Sequence, residues 1–259
     1  LHLLKPNRGL FVEYKLSGKR EDILRVSKEN SLNYDCVDYS RMLSEGIEPL
    51  KGTVLVDVTG LAKPAIFYSI RSALRTNGKI MICHTRAKEY YPKNEAIEEV
   101  LKAEREKNHY VLIEKLKEIL TGEKGPYHIM PLLKSDADES RRRTLFVFSS
   151  PKHERLLTLL DKREYDRIEI AVSERQNPRS KLAQIVSQIA ESNYSARTTP
   201  DNPDDLEKIL RLILKTYRYW YTERGFNFEG GLTGSKIEAI ACSIASTLCK
   251  FSQCWYVCP

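Results

Sequence analysis

Two stretches of the chain share one order of hydrophobic and polar positions. Residues 53–58 and 226–229 are short, mainly apolar runs that predict strands, and each is followed by a turn containing glycine, threonine and lysine. Apolar residues at helical spacing then predict a helix, and a further apolar strand closes each stretch at residues 79–85 and 254–257. The run at 53–58 is typical of a central parallel strand buried on both faces. Both stretches therefore predict a strand–turn–helix–strand unit.

The two stretches also match in register. The Thr-Gly pair at 59–60 aligns with the pair at 233–234 at an offset of 174 positions, and the following helices match at the same offset. Lys63 and Lys236 differ from that register by one residue. Because small and apolar residues match easily by chance, a shared architecture is a safer interpretation than a shared origin.

The rest of the chain completes an α/β pattern. Residues 93–141 combine a charged helical segment with a polar run, and after them apolar strands alternate regularly with amphipathic helices. The sequence thus predicts two Rossmann-like units with parallel sheets, at residues 1–92 and 142–259, joined by the charged helical segment. The strands that we expect to be parallel neighbours in one sheet are those at Phe146, Ile170 and Phe228.

Composition restricts the class of protein. The 259 residues, 41% hydrophobic and 30% charged, are typical of a soluble globular protein. The net charge of +7 suits an anionic partner, but a concentrated basic run occurs only at 141–143, so we expect no long nucleic acid as partner. No apolar run approaches the roughly 20 residues of a membrane span, and no membrane partner is expected.

The six cysteines form no CxxC pair and have no histidine at metal-ligand spacing. We therefore predict no metal site, no cofactor and a reducing, cytoplasmic setting. The chain begins without methionine and ends directly after a predicted strand, which indicates a fragment of a longer protein.

The turn at residues 230–236 has the chemistry of a phosphate site. Its glycines let the backbone approach a ligand closely, and the amides at the start of the following helix favour an anion. Thr233 and Ser235 add hydroxyl groups, and Lys236 adds a positive charge. A plain strand-to-helix turn would use the same residues, and both interpretations stay open at this point.

The order of motifs in residues 144–259 resembles a known family. One strand ends in Ser-Ser-Pro, a second ends in Ser-Glu, and a long helix precedes a strand, a Thr-Gly-x-Lys turn, a helix and Trp-Tyr-Val. This order is similar to that of CARF (CRISPR-associated Rossmann fold) sensor domains, which bind cyclic oligoadenylates between the carboxyl ends of their strands. The family's turn is of the type Asn-x-Thr-Gly-Gly-Thr-Lys, and here Ser235 stands in place of its second glycine. With the weaker match at 53–85, the chain also resembles the fused CARF-like pair of a SAVED domain.

The resemblance implies a sensor that binds a nucleotide second messenger of the cyclic oligonucleotide type in prokaryotic antiviral defence. Such a module works as a homodimer and passes its signal to an effector domain or protein. We expect the turns at Thr59 and Thr233 to open to a common cleft or to a symmetric dimer groove. The implied ligand contacts are Thr59, Gly60, Thr233, Gly234 and Ser235 for phosphates, Lys63 and Lys236 for their charge, and Ser149, Ser150, Ser173 and Glu174 for ribose or base.

Two other functions fit the same residues, and whether the chain is an enzyme stays open. The first is a metal-independent phosphodiesterase of the ring-nuclease type, in which Lys236 or Lys63 stabilises transition-state charge and a hydroxyl positions the attacking ribose oxygen. No catalytic residue is identified for it. The second is a structural or partner-binding module whose turns serve only as helix caps.

Overall fold

The chain folds into two compact units, Leu1–His84 and Thr85–Pro259. Part of the charged segment expected at residues 93–141 lies outside the described residues, and the domain boundaries expected from the sequence stay predictions. The computed structural model describes residues 8–14, 20–29, 31, 33–76, 79–85, 92–104, 111, 114–115, 118–119 and 126–258.

Where the structure describes it, the first unit contains two pairs of parallel strands, each with a helix in its crossover. Parallel strands need such a connection because the chain must return to the same end of the sheet. The elements in chain order are β1 (Arg8–Glu13), α1 (Arg20–Glu29), β2 (Asn33–Asp38), α2 (Tyr39–Glu45), β3 (Val54–Asp57), α3 (Lys63–Leu74) and β4 (Ile80–Cys83).

The β3–α3–β4 segment confirms the strand–turn–helix–strand pattern predicted for residues 53–85. Val54 lies opposite Ile80 in the parallel pair. The expected central position of β3 is wrong, because among the described residues β3 pairs with β4 alone. Val56 is buried, whereas Val54 and Leu55 are only half-buried, as a strand with one neighbour would be.

The described residues of the second unit form a six-stranded sheet with helices on both faces. Its elements are α4 (Asn94–Glu104), β5 (His128–Pro131), β6 (Arg143–Phe148), α5 (His153–Lys162), β7 (Arg167–Ser173), α6 (Pro178–Asn193), β8 (Ala196–Asp201), α7 (Leu206–Tyr217), a π-helix (Arg218–Glu223), β9 (Asn227–Gly231), α8 (Lys236–Leu248) and β10 (Gln253–Cys258).

The strands of this sheet lie in the order β5-β10-β9-β6-β7-β8. Thr144 of β6 lies opposite Phe228 of β9 on one side and Arg167 of β7 on the other, and both pairs are parallel. The predicted parallel neighbours are therefore confirmed. The final strand, β10, is parallel to β9 as predicted, and β5 adds an antiparallel edge.

Alternation along the central strands separates two cores. Leu145 and Val147 belong to an aliphatic core that includes side chains of α4, α5 and α6. Phe146 and Phe228, whose ring centroids are 6.3 Å apart, point to the opposite face. Tyr217 of α7 lies 5.4 Å from Phe228, and α7 packs against α8 on this aromatic side.

The direction of chain travel through the sheet reverses at β6. From β6 the chain moves outward through β7 and β8, and it returns to the other side of β6 with β9 and β10. In open parallel sheets, such a reversal leaves a crevice outside the carboxyl ends of the two strands, and ligands bind there. The fold therefore predicts a ligand site at the carboxyl ends of β6 and β9. No helix within the described part of the chain is both long and apolar enough to cross a membrane.

Candidate functional site

Thr233 joins the two strands that border the crevice. It follows β9, and its hydroxyl donates to the carbonyl oxygen of Phe148 at 2.6 Å and accepts from the Phe148 amide at 3.1 Å. The residue is only 2% exposed. Because the hydroxyl bonds both backbone groups of the last residue of β6, it holds the base of the crevice together. A ligand would meet the backbone of this turn before it met this side chain.

The start of α8 is a reciprocal capping box. The Ser235 hydroxyl accepts from the Glu238 amide at 3.2 Å, and the Glu238 carboxylate accepts from the Ser235 amide. Glu238 is 5% exposed. A carboxylate of the chain itself therefore lies at the helix terminus where the sequence predicted a phosphate. The amides of Lys236 and Ile237, also in the first turn, do not take part in this box.

The glycines of the turn make close internal contacts. A Cβ on Gly234 would lie 2.0 Å from Glu238 Oε2 and 2.6 Å from Phe148 Cβ. A Cβ on Gly231 would lie 2.6 Å from a methyl group of Val147. Glycine is thus required at both positions by the packing of the turn against its own surroundings.

The hydroxyl groups at the ends of β6 and β7 also have partners within the protein. Ser149 donates to a carbonyl oxygen of α6, and Ser150 accepts from the amide of Lys152 at 3.2 Å. Ser173 lies 3.0 Å from the hydroxyl of Ser180. These contacts fix the loops that follow β6 and β7. They therefore also fix Ser150 and Ser173 at the carboxyl edge of the sheet.

Acidic groups gather where β7, β8 and α8 meet. Asp201 is the last residue of β8 and is 5% exposed, and within the described residues its Oδ2 atom has no hydrogen-bond partner. Burial raises the pKa of Asp201 to about 6, against hydrogen bonds with the Asn202 amide and the Glu238 carboxyl, and repulsion from Asp205 and Glu174 adds to the increase. The end of β8 is therefore unfavourable for an additional negative charge.

Eight of the eleven predicted contact residues lie at one edge of the second unit's sheet, following β6, β7 and β9. Gly234 and Lys236 are half-buried, and Ser235 and Glu174 are exposed. The eight residues are Ser149, Ser150, Ser173, Glu174, Thr233, Gly234, Ser235 and Lys236.

The other three, at 59, 60 and 63, follow β3 in the first unit. Thr59 and Gly60 are exposed, and Lys63 is the first residue of α3. The cap residue of α3 is Ala62, which offers no side-chain bond, and its amide donates to the Tyr14 hydroxyl at 2.9 Å. The two turns that match in sequence therefore differ in structure, since one is capped by a buried carboxylate and the other is not. The common cleft stays a prediction.

Sequence reasoning missed two residues of this site, Glu238 and Asp201. The spacing Ser235-x-x-Glu238 is the sequence signature of a capping box, so Glu238 could have been found. Asp201 has no comparable local signal, because its burial depends on the pairing of β8 with β7, a segment about 30 positions earlier in the chain.

The geometry defines a doubly wound α/β unit whose strand order reverses between β6 and β9, the place at which sheets of this kind bind ligands. No protein-family model matches the chain, and no curated protein matches it. Among solved structures, it is similar to one described as a type III CRISPR defence DNA nuclease activated by cyclic oligoadenylate, with a TM-score of 0.52 and 11% identity over 96% of this chain. The chain spans 65% of the length of that nuclease chain.

This likeness bears on the fold. At 11% identity it supports the predicted Rossmann-like α/β class, which is confirmed, and it does not address the SAVED-like tandem. A second structure, an N-terminal ketoreductase from a macrolactin assembly line, has a TM-score of 0.24 and 10% identity over 88% of this chain and 61% of its own, which is too low to support an argument.

Proposed function

We propose that this chain is a sensor module of prokaryotic antiviral defence whose second unit binds a nucleotide messenger of the cyclic oligonucleotide type. The observation that carries the proposal is the reversal of strand order between β6 and β9, where sheets of this kind bind ligands, with the first turn of α8 and Lys236 following β9. A fold shared with a nuclease described as activated by cyclic oligoadenylate supports it. The module acts as a CARF-like homodimer in the cytoplasm and transmits binding to an effector.

Each part of the crevice has a role in this proposal. A messenger phosphate binds at the first-turn amides of Lys236 and Ile237, and the lysine ammonium group offsets its charge. Ser150, Ser173 and Glu174 contact ribose or base from the neighbouring strand ends. Thr233 and Ser149 act as supports of the crevice, since their hydroxyls are bonded to backbone groups.

A structural role is the second candidate, and the capping box favours it. Ser235 and Glu238 bond each other's amides, so the turn is complete without a ligand. In that case the crevice would be only the junction between β6 and β9. A phosphodiesterase would differ from both candidates by consuming the messenger.

Calorimetric titration of the whole chain with cyclic di-, tri-, tetra- and hexa-adenylate tests the proposal, with chromatography of the same samples to detect cleavage. Lys236→Ala should weaken binding by about 1.5–3 kcal/mol, roughly 10- to 150-fold, because a charge-assisted contact is lost. Lys215→Ala removes the same charge from an exposed position late in α7 and should leave affinity unchanged. Equal affinities of the two variants, or no binding by the wild type, would contradict the sensor function, and loss of intact messenger would indicate the phosphodiesterase.

A further inference from the structure

The outermost strand of the second unit's sheet has one side without a strand partner. Among the described residues, β8 pairs with β7 alone, and the Glu174 amide donates to the carbonyl oxygen of Asp201 in this ladder. Successive residues of a strand direct their backbone groups to opposite edges, so the odd-numbered residues of β8 face β7. The backbone groups of Ala196, Thr198 and Pro200 therefore face away from the sheet.

Within the described part of the chain, this outer edge offers no unused amide donor. The Ala196 amide donates to the carbonyl oxygen of Tyr194 at 2.7 Å. The Thr198 amide donates to Glu191 Oε1, also at 2.7 Å. Pro200 has no amide hydrogen, and proline is tolerated in strands at such outward positions.

Glu191 is the one of these blocking groups that comes from a neighbouring element. It lies near the carboxyl end of α6, is half-buried, and its side chain reaches across to the middle of β8. A hydrogen bond to a carboxylate is shorter and stronger than one between neutral groups. The carboxylate of Glu191 thus occupies the place that a carbonyl oxygen of an added strand would take.

Without this block, the strand is complementary to itself. Edge strands present a template for another chain, and addition of a strand requires the exchange of donors and acceptors. In the antiparallel register that places two copies of Thr198 opposite each other, each Thr198 amide meets the carbonyl oxygen of the other. Arg197 then lies opposite Thr199, so no like charges face each other.

We propose that Glu191 closes the outer edge of β8 to strand addition, and that this edge pairs antiparallel with the same edge of a second copy once the block is removed. The inference goes beyond the proposed function and does not depend on it. A homodimer of the wild-type chain would form at another surface.

Glu191→Ala tests the closing bond itself. The Thr198 amide should exchange with solvent about 10- to 100-fold faster, as expected when a hydrogen bond to a charged group is lost. Hydrogen exchange of the whole chain in dilute solution, followed by NMR, measures this rate. Glu191→Gln keeps an oxygen acceptor at this place and should retain most of the protection. Glu207→Ala, at an exposed position on α7, should exchange as the wild type does.

Pro200→Ala combined with Glu191→Ala adds a second amide donor to the edge. Sedimentation velocity at increasing concentration should then show larger species than the wild type forms at the same concentration. Adding Thr198→Pro to this double variant removes a donor that faces away from β7, and it should restore the wild-type distribution.

Unchanged exchange of the Thr198 amide in Glu191→Ala would overturn the closing role of Glu191. Equal sedimentation of the double variant and the wild type, or larger species that persist with Thr198→Pro, would overturn the pairing through β8. The exchange measurement decides the closing role even when the double variant does not fold, because it uses the single substitution.

Discussion

The Thr233 hydroxyl supports a direct test of how the crevice is built. Thr233→Val keeps the shape of the side chain and removes both hydrogen bonds to Phe148. One lost bond contributes about 1 kcal/mol, and leaving the buried Phe148 amide without this acceptor costs about 1–3 kcal/mol, a sum of about 2–4 kcal/mol. The added methyl group offsets up to about 0.8 kcal/mol. The free energy of unfolding should therefore fall by about 1–3 kcal/mol.

Urea unfolding followed by tryptophan fluorescence measures this change in the right unit. The two tryptophans of the chain, Trp220 and Trp255, both lie in the second unit, so their emission reports on that unit alone. Thr233→Ser is the matched control, because it keeps the hydroxyl and loses only a methyl group, at about 0.8 kcal/mol. Equal losses for the two variants would show that the methyl group, and not the hydroxyl, stabilises the crevice, and the assigned role of Thr233 would be wrong.

Three other positions of the second unit give measurable outcomes in the same assay. Gly231→Ala should cost about 1–3 kcal/mol because its Cβ would lie 2.6 Å from Val147. Wild-type stability should fall as the pH rises from about 4 through about 6, because burial raises the pKa of Asp201 to about 6; Asp201→Asn should remove this dependence and gain up to about 3 kcal/mol at neutral pH. Glu229→Ala should cost about 3–5 kcal/mol, since its carboxylate is buried, accepts from the Trp255 indole at 2.5 Å and is the ion-pair partner of the largely buried Arg163, which would lose its counter-charge. No loss at Gly231 or Glu229, or an unchanged pH profile in Asp201→Asn, would contradict the corresponding argument.

Local sequence patterns were sufficient to predict most strands and helices of the second unit. The apolar runs around Phe146, Ile170 and Phe228 predict strands, and the helices between them predict a parallel arrangement, because a parallel pair needs a crossover. The prediction of a helix after each Thr-Gly pair is confirmed after residues 59–60 and after residues 233–234. The Ser235-x-x-Glu238 spacing carried a further local signal, the capping box, that places a carboxylate at the start of α8.

The position of β3 shows where such patterns fail. A continuous apolar run indicated a central strand, yet β3 pairs with β4 alone among the described residues. A run of apolar residues indicates that a strand is buried. The number of strands that pair with it depends on segments elsewhere in the chain.

The α/β class, the strands and helices from β6 to β10, and the group of residues at strand ends could be predicted from the sequence, since each depends on neighbours within a few positions. Tertiary structure alone decided how those residues are used. Thr233 bonds Phe148, 85 positions away, so its hydroxyl holds two strands together. Asp201 ends the edge strand β8 and is nevertheless only 5% exposed. A side chain's hydrogen bonds and its access to water are set by groups that are near in space, and a linear pattern carries no record of groups so distant along the chain.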